Sequence, residues 1–323
     1  MAFCKRLIKI ILWGDIMNEK VIKLKAAMEQ RIVGKGDVID KLITALLAEG
    51  HVLLEDVPGV GKTTLAKTLA DSLSLSFARI QCTPDTTPSD ITGLSIYNAS
   101  TGNFQTVPGP VVNNIVLVDE LNRTSPKTQS ALLEVMEEQA VTIDGKQILV
   151  PKPFMVIGTQ NPAEMAGTYP IPESQLDRFM MKISVGYPTT SASEDMAKRF
   201  IEGNLHEKTV AVLSGEDIMA MRSQVKKVTI HEKLTSYAVQ LVEATRIYPE
   251  IKCGASSRAL LALLRCAQAL AFLEDRDYCV PEDIAKAGEL TLSHRIILST
   301  EAKMNHISGE ALMERILGQV KVS

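Results

Sequence analysis

The apolar positions of this chain change their spacing near residue 190, from short continuous runs to a helical period. Five runs precede the change: His51-Val52-Leu53-Leu54, Phe77-Ala78-Arg79-Ile80, Ile115-Val116-Leu117-Val118, Phe154-Met155-Val156-Ile157-Gly158 and Met181-Lys182-Ile183-Ser184-Val185. Runs of this length suit buried strands, and near-continuous ones suit a parallel sheet covered on both faces. Helical patterns lie between them at 62–73 and at 127–138, where Leu132, Leu133, Val135 and Met136 mark the apolar face. Two further helices, 17–30 and 38–47, precede the first run and are separated by Arg31-Ile32-Val33-Gly34. Alternation of strand and helix over residues 31–186 predicts an open α/β fold with a five-stranded parallel sheet.

Two segments interrupt the alternation. Residues 94–107 and 141–150 alternate apolar and polar about Ser100-Thr101-Gly102-Asn103 and Asp144-Gly145, and each predicts a β-hairpin insertion. On the residues alone, either reads as a passive edge hairpin. Gly186-Tyr187-Pro188-Thr189 closes the α/β part. Beyond it, helices are predicted at 194–203, 215–226, 231–246, 256–273, 281–299 and 308–319. The fifth opens on Pro281-Glu282-Asp283, with proline in the first turn and acids at the positive end of the helix dipole. The predicted division is an α/β core over 17–188 and a smaller all-α domain over 189–323. Residues 1–16, basic and apolar, are expected to be a disordered or non-native extension. They are too short for the ~20 residues that span a bilayer and have no small-residue cleavage site.

Composition narrows the function classes. With 46% hydrophobic and 23% charged residues the chain is globular, and its formal net charge of −3 offers no global basic field for nucleic acid. The hairpin tips carry Lys146 against Asp144 and no aromatic, which also argues against a nucleic-acid motor. Five cysteines form no CxxC pair, so reduced thiols in a cytoplasmic protein are expected, with Cys253, Cys266 and Cys279 packed in helices. The five histidines have no metal-ligand spacing, and no transition-metal site is expected.

The chemistry begins at Glu55 to Thr64, EDVPGVGKTT. A strand, a glycine-rich turn and a helix N-terminus make a cradle for phosphate, with backbone N–H groups and the helix dipole turned on the anion. Pro58, Gly59, Val60 and Gly61 form the turn, Lys62 supplies a mobile charge for the β/γ-phosphates, and the hydroxyl of Thr63, followed by Thr64, suits a Mg²⁺ ion. The usual pattern has glycine where this chain has Asp56. Asp119-Glu120 end an apolar strand at the edge where such sheets bind ligands. Asp119 suits Mg²⁺ and Glu120 suits the base for the attacking water, unless the pair simply caps a helix. Asn161, at the tip of the next strand, either contacts the γ-phosphate or satisfies the turn before Pro162. Arg178 either pairs with Asp177 or stabilises a transition state from a neighbouring subunit, and Arg258 opens a later helix from which the same phosphate is a possible target. Spacing settles neither.

The order Lys62, Asp119-Glu120, Asn161, Arg178, Arg258 resembles that of an AAA+ ATPase. The wording resembles the MoxR family: EDVPGVGKTTLA, SDITG, TGNFQTVPGPV, VDELNRTSPKTQSALLEVMEE, GTQNPAEMAGTYPIPESQLDRFMMKISVGYP and GASSRALLALLRCAQA, across about residues 17–320. That resemblance implies an α/β P-loop AAA+ core followed by an all-α lid, with Asp56 as a family mark. It implies Walker A roles for Lys62 and Thr63, Walker B roles for Asp119 and Glu120, sensor 1 for Asn161, an arginine finger in trans for Arg178 and sensor 2 for Arg258. Ile32, Val33 and Gly34 would line the adenine. The hairpins become the helix-2 insert and the pre-sensor-1 hairpin, facing the ring pore or a partner, and Arg123 reaches across the subunit interface. The function implied is Mg²⁺-dependent ATP hydrolysis by a hexameric ring that remodels or matures client proteins with a von Willebrand factor A domain partner. The alternative is a chelatase-type motor that drives metal insertion.

Overall fold

In the computed structural model, which describes residues 19–56, 59–161, 168–203 and 209–322, the chain opens with a helix over 19–31 (α1) and a second at Gly36–Leu47 (α2). Strand β1 (Val52–Glu55), helix α3 (Lys62–Ser72) and strand β2 (Phe77–Gln81) follow. A short α4 (Pro88–Thr92) leads into a hairpin of β3 (Gly93–Asn98) and β4 (Asn103–Pro108). Next come β5 (Ile115–Asp119), a 3-10 turn at Leu121–Arg123 and α5 (Pro126–Glu138). A second hairpin, β6 (Ala140–Ile143) and β7 (Lys146–Leu149), precedes β8 (Met155–Gln160), α6 (Glu173–Leu176) and β9 (Met181–Ile183). The extension at 1–16 and Pro58 lie outside the described residues.

The five predicted runs form one parallel sheet in the order β2-β5-β8-β1-β9. Period-2 alternation splits their side chains between two cores. Val52, Leu54, Ile115, Leu117, Met155 and Ile157 face one side with α2 and α3, while Leu53, Val116, Val118 and Val156 face the other, with Phe179 and α5. β5 is buried along its whole length. β2 is the exception to the buried-strand expectation: as an edge strand bonded to β5 it leaves Phe77 and Ala78 half-buried and Arg79 exposed. β9 is shorter than its apolar run, because Ser184 and Gly186 turn their polar groups to Asp56 instead of a neighbouring strand.

The C-terminal region is helical as predicted: α7 (Thr190–Ile201), α8 (Gly215–Val225), α9 (Glu232–Ile247), α10 (Ser257–Leu273), α11 (Pro281–Leu292), α12 (Thr300–Met304) and α13 (Gly309–Gln319). Ser214, Ser256, Ser299 and Ser308 cap four of these by accepting an amide of the first turn. A small antiparallel ribbon, β10 (Ile251–Cys253) with β11 (Ile297–Leu298), is threaded among them. The helix expected over 281–299 therefore stops at Leu292, and the chain turns so that Arg295 points into the α/β part. The cysteine expectation is corrected too. Cys266 is buried in α10, but Cys253 is exposed on β10 and Cys279 is buried just before α11. No helix among the described residues is long and apolar enough to cross a membrane.

The helical region shares a core with one face of the sheet. Its firmest polar attachment is Arg295, whose side chain is 2% exposed. Arg295 donates to Asp177 Oδ1 at 2.9 Å and to the carbonyls of Asp177, Phe179 and Met180 at 3.0, 2.8 and 3.1 Å. His294 Nε2 meets the same Phe179 carbonyl at 2.9 Å.

Candidate nucleotide site

The glycine-rich turn meets α3 at Gly61, the helix N-cap, with φ of 88°. Gly59 has φ of 85°, and a Cβ added at either position would meet no atom within 4 Å. Glycine is needed there for the left-handed backbone, and the space beside it is open. Lys62 Nζ donates to the Asp56 carbonyl at 2.7 Å. Partial burial lowers the lysine's pKa, opposed by the charges of Asp56, Asp119 and Glu120. Thr63 Oγ1 donates to Asp119 Oδ2 at 3.4 Å, so α3 and β5 bring a hydroxyl and a buried carboxylate together. An oxygen-only pair of this kind beside a phosphate cradle fits Mg²⁺.

Four side chains, Thr159, Arg79, Gln81 and Arg123, fix the acidic pair. Thr159 Oγ1, on β8, donates to Asp119 Oδ1 at 3.3 Å and accepts the Glu120 amide at 2.9 Å. Arg79 Nε, on β2, donates to Asp119 Oδ2 at 2.7 Å, the same oxygen that Thr63 approaches. Glu120 has φ of 56° and makes no side-chain cap bond, which removes the helix-cap reading. Its Oε2 accepts from Gln81 Nε2 at 3.1 Å and Arg123 Nη1 at 3.0 Å. In this structure Arg123 thus serves the carboxylate of its own chain. Asn161 is buried at the end of β8, between the strands that carry Asp119 and the loop.

Sequence reasoning missed Arg79, Gln81 and Thr159. The available signal for Arg79 was a lone charge inside an apolar strand run. The departure at Asp56 gains a physical reason. Its Oδ2 accepts from Ser184 Oγ at 3.0 Å and from the Gly186 amide, which ties the loop to the segment leaving β9. Lys35 Nζ holds that segment from the other side through the carbonyls of Val185, Gly186 and Tyr187 at 2.7, 2.9 and 2.8 Å. Ile32, Val33 and Gly34 lie in the turn just before Lys35. Gly34 has φ of 70°, and a Cβ on it would stand 2.7 Å from the Ala192 Cβ of α7.

The structure places the two late arginines elsewhere. β1 and β9 run parallel with Val52 opposite Met181, and the Met180 amide bonds the His51 carbonyl, so Arg178 lies beyond the N-terminal edge of the sheet. Asp119, Glu120 and the loop stand at the C-terminal edge, on the order of 10 Å away along the strands. Arg178 does not pair with Asp177; its Nη2 meets Glu137 Oε2 at 3.0 Å. Arg258 joins it by pairing with Glu137 Oε1. Neither arginine meets the loop of its own chain, since both pair with Glu137.

Residues 51–181 match the model of the ATPase family associated with various cellular activities, and residues 243–316 match the AAA lid domain. The chain is 48% identical to the uncharacterized protein YeaC of Bacillus subtilis over 90% of its own length and 91% of that protein. It is 40% identical to the chaperone MoxR1 of Mycobacterium tuberculosis over 90% of its length and 78% of that protein. The crystal structure of a Cytophaga hutchinsonii protein assigned as an ATPase superposes with a TM-score of 0.92 at 40% identity, covering 98% of this chain and 99% of that one. The chain belongs to the MoxR family of AAA+ ATPases. At the level of the family, ATPase activity and nucleotide binding come with that membership, and the five-stranded core with its helical C-terminal region is the AAA+ fold. For a MoxR-family chain the separation of the arginines from the loop poses the functional question.

Proposed function

We propose that this protein hydrolyses ATP in a head-to-tail ring of copies, a hexamer, and that the cycle remodels client proteins together with a von Willebrand factor A domain partner in the cytoplasm. The observation that carries the ATPase reading is the half-site. Lys62, Thr63, Asp119 and Glu120 converge at one end of the sheet, while Arg178 and Arg258 stand at the other. Charge stabilisation of a leaving phosphoryl group needs cations on the side away from the loop. Arg178 and Arg258 of another copy would supply them.

In this reading the amides of residues 59–64 and the α3 dipole hold the phosphates, and Ile32, Val33 and Gly34 border the base. Lys62 exchanges the Asp56 carbonyl for phosphate oxygen. Thr63 and Asp119 would hold magnesium, which would supply positive charge to the phosphate groups. Glu120, steadied by Gln81 and Arg123, orients a water and takes its proton as the water oxygen bonds to the γ-phosphorus and the bond to ADP breaks. Asn161 marks the γ-phosphate side. Arg178 and Arg258 of one protomer then face the γ-phosphate bound by the next. A domain boundary near residue 188 would let the helical part shift against the sheet as Asp56 and Lys35 transmit the change. Support for client remodelling comes from the relative named as a chaperone.

Glu120→Gln should lower turnover at least about 100-fold while ATP binding, measured by a fluorescent analogue, stays within twofold. Near-normal hydrolysis by that variant would remove Glu120 from its role. Arg178→Ala should also be inactive, and mixing it with Lys62→Ala should restore activity at mixed interfaces. Absence of restoration in rings shown by native mass spectrometry to be mixed would overturn action in trans.

A further inference from the structure

We propose that Glu137 is a positioning residue for hydrolysis at the neighbouring protomer, holding Arg178 and Arg258 side by side in the arrangement that engages one phosphate. The proposal rests on the trans-arginine reading above. Glu137 Oε2 accepts from Arg178 Nε at 3.1 Å and Nη2 at 3.0 Å, while Oε1 accepts from Arg258. One carboxylate thus joins an arginine of the α/β part to an arginine of the helical part, 80 residues apart in sequence (258 − 178). A carboxylate presents two oxygens in a plane to guanidinium forks much as a phosphoryl group does. Two arginines trained on Glu137 are therefore already set at the spacing of two oxygens on one centre.

Nothing local explains this glutamate. It occupies the last turn of α5, where a negative charge opposes the helix dipole. Its pairs are exposed, with side-chain exposures of 41% for Glu137, 29% for Arg178 and 44% for Arg258, so water screens them and they add little to stability. Around it, Asp177 Oδ2 lies 4.0 Å from Arg258 Nη1 and accepts from Ser256 Oγ at 2.9 Å, while Arg295 neutralises Oδ1. Three arginines against two carboxylates leave the cluster at +1, still attractive to an anion. A carboxylate placed against its helix dipole, and joined to two arginines that the nucleotide of the same chain does not meet, serves what those arginines do elsewhere.

The test compares Glu137→Ala, Glu137→Gln and Arg178→Ala as full-length proteins in steady-state ATPase assays, with oligomer size and melting temperature measured alongside. Glu137→Ala should lower kcat about tenfold with KM for ATP within twofold, and Glu137→Gln, which keeps one acceptor, should fall between it and wild type. Arg178→Ala combined with Glu137→Ala should be no slower than Arg178→Ala alone. Mixing Glu137→Ala with Lys62→Ala should recover activity, because the Lys62→Ala copies present intact arginine pairs. Wild-type or faster turnover in both Glu137 variants would overturn the proposal while an inactive Arg178→Ala leaves the trans reading standing. Full activity of Arg178→Ala would remove both. Loss of kcat that tracks loss of the oligomer in both Glu137 variants would make the residue structural and also overturn the proposal.

Discussion

His51 is committed on both edges of its ring. Nδ1 accepts the Val156 amide at 2.9 Å, Nε2–H donates to the Met136 carbonyl at 3.2 Å, and the ring stands edge-on to Phe154 at 5.5 Å. Only the neutral imidazole satisfies both partners, and burial pushes its pKa down to about 4. The unfolded chain binds a proton near pH 6.5 that the folded chain refuses, so this contribution is complete above pH 6.5 and is lost as pH falls toward 4. Urea unfolding at pH 5 should give a stability about 2 kcal/mol below that at pH 7 from this residue. His51→Gln, whose amide can donate and accept, should flatten that slope; an unchanged slope would count against the assignment. The sequence allowed a packing histidine here but not its tautomer, which is set by partners 85 and 105 residues away. Residue-scale chemistry was legible where it was local, as in the run from Gly59 to Thr63. Arg79 and Thr159 were not legible, because strands distant in sequence bring them to Asp119.

At the scale of elements, the β3–β4 hairpin depends on the backbone at its root. Gly93 has φ of 99°, and a Cβ there would stand 2.3 Å from the Val107 carbonyl oxygen; one on Gly109 would stand 2.2 Å from that of Ile91. Gly93→Ala should cost more than about 2 kcal/mol, read as a lower melting temperature. Gly102→Ala, at a tip with no atom within 4 Å of the added Cβ, bears only the strain of its φ of 67° and should cost about 1 kcal/mol. Equal effects at root and tip would refute this account. Both hairpins were legible, since turn residues between alternating runs announce them. β10 and β11 were not, because strands of three and two residues carry no period. The end of α11 was hidden for a different reason. Apolar spacing continues through Ile296 and Ile297, and it is the reach of Arg295 toward Asp177 that accompanies the turn.

For the whole molecule, the parallel sheet and the helical C-terminal region followed from periodicity, but their mutual placement did not. It depends on meetings such as that of Arg295 with Asp177, 118 residues apart. Removing a buried guanidinium leaves a carboxylate and several carbonyls without their donor, so Arg295→Ala should destabilise the protein by about 3–5 kcal/mol. Hydrogen exchange should show lost protection at residues 177–181, and unchanged exchange there would mean that the attachment lies elsewhere. The separation of loop and arginines along the sheet carries one more consequence under the head-to-tail reading. Each copy has a giving end and a receiving end, so an open row of n copies completes n − 1 sites and only closure completes the last. Specific activity should therefore climb with protein concentration and level off at closure. In a closed ring, a copy that cannot give its arginines would silence one neighbour and leave its own site working.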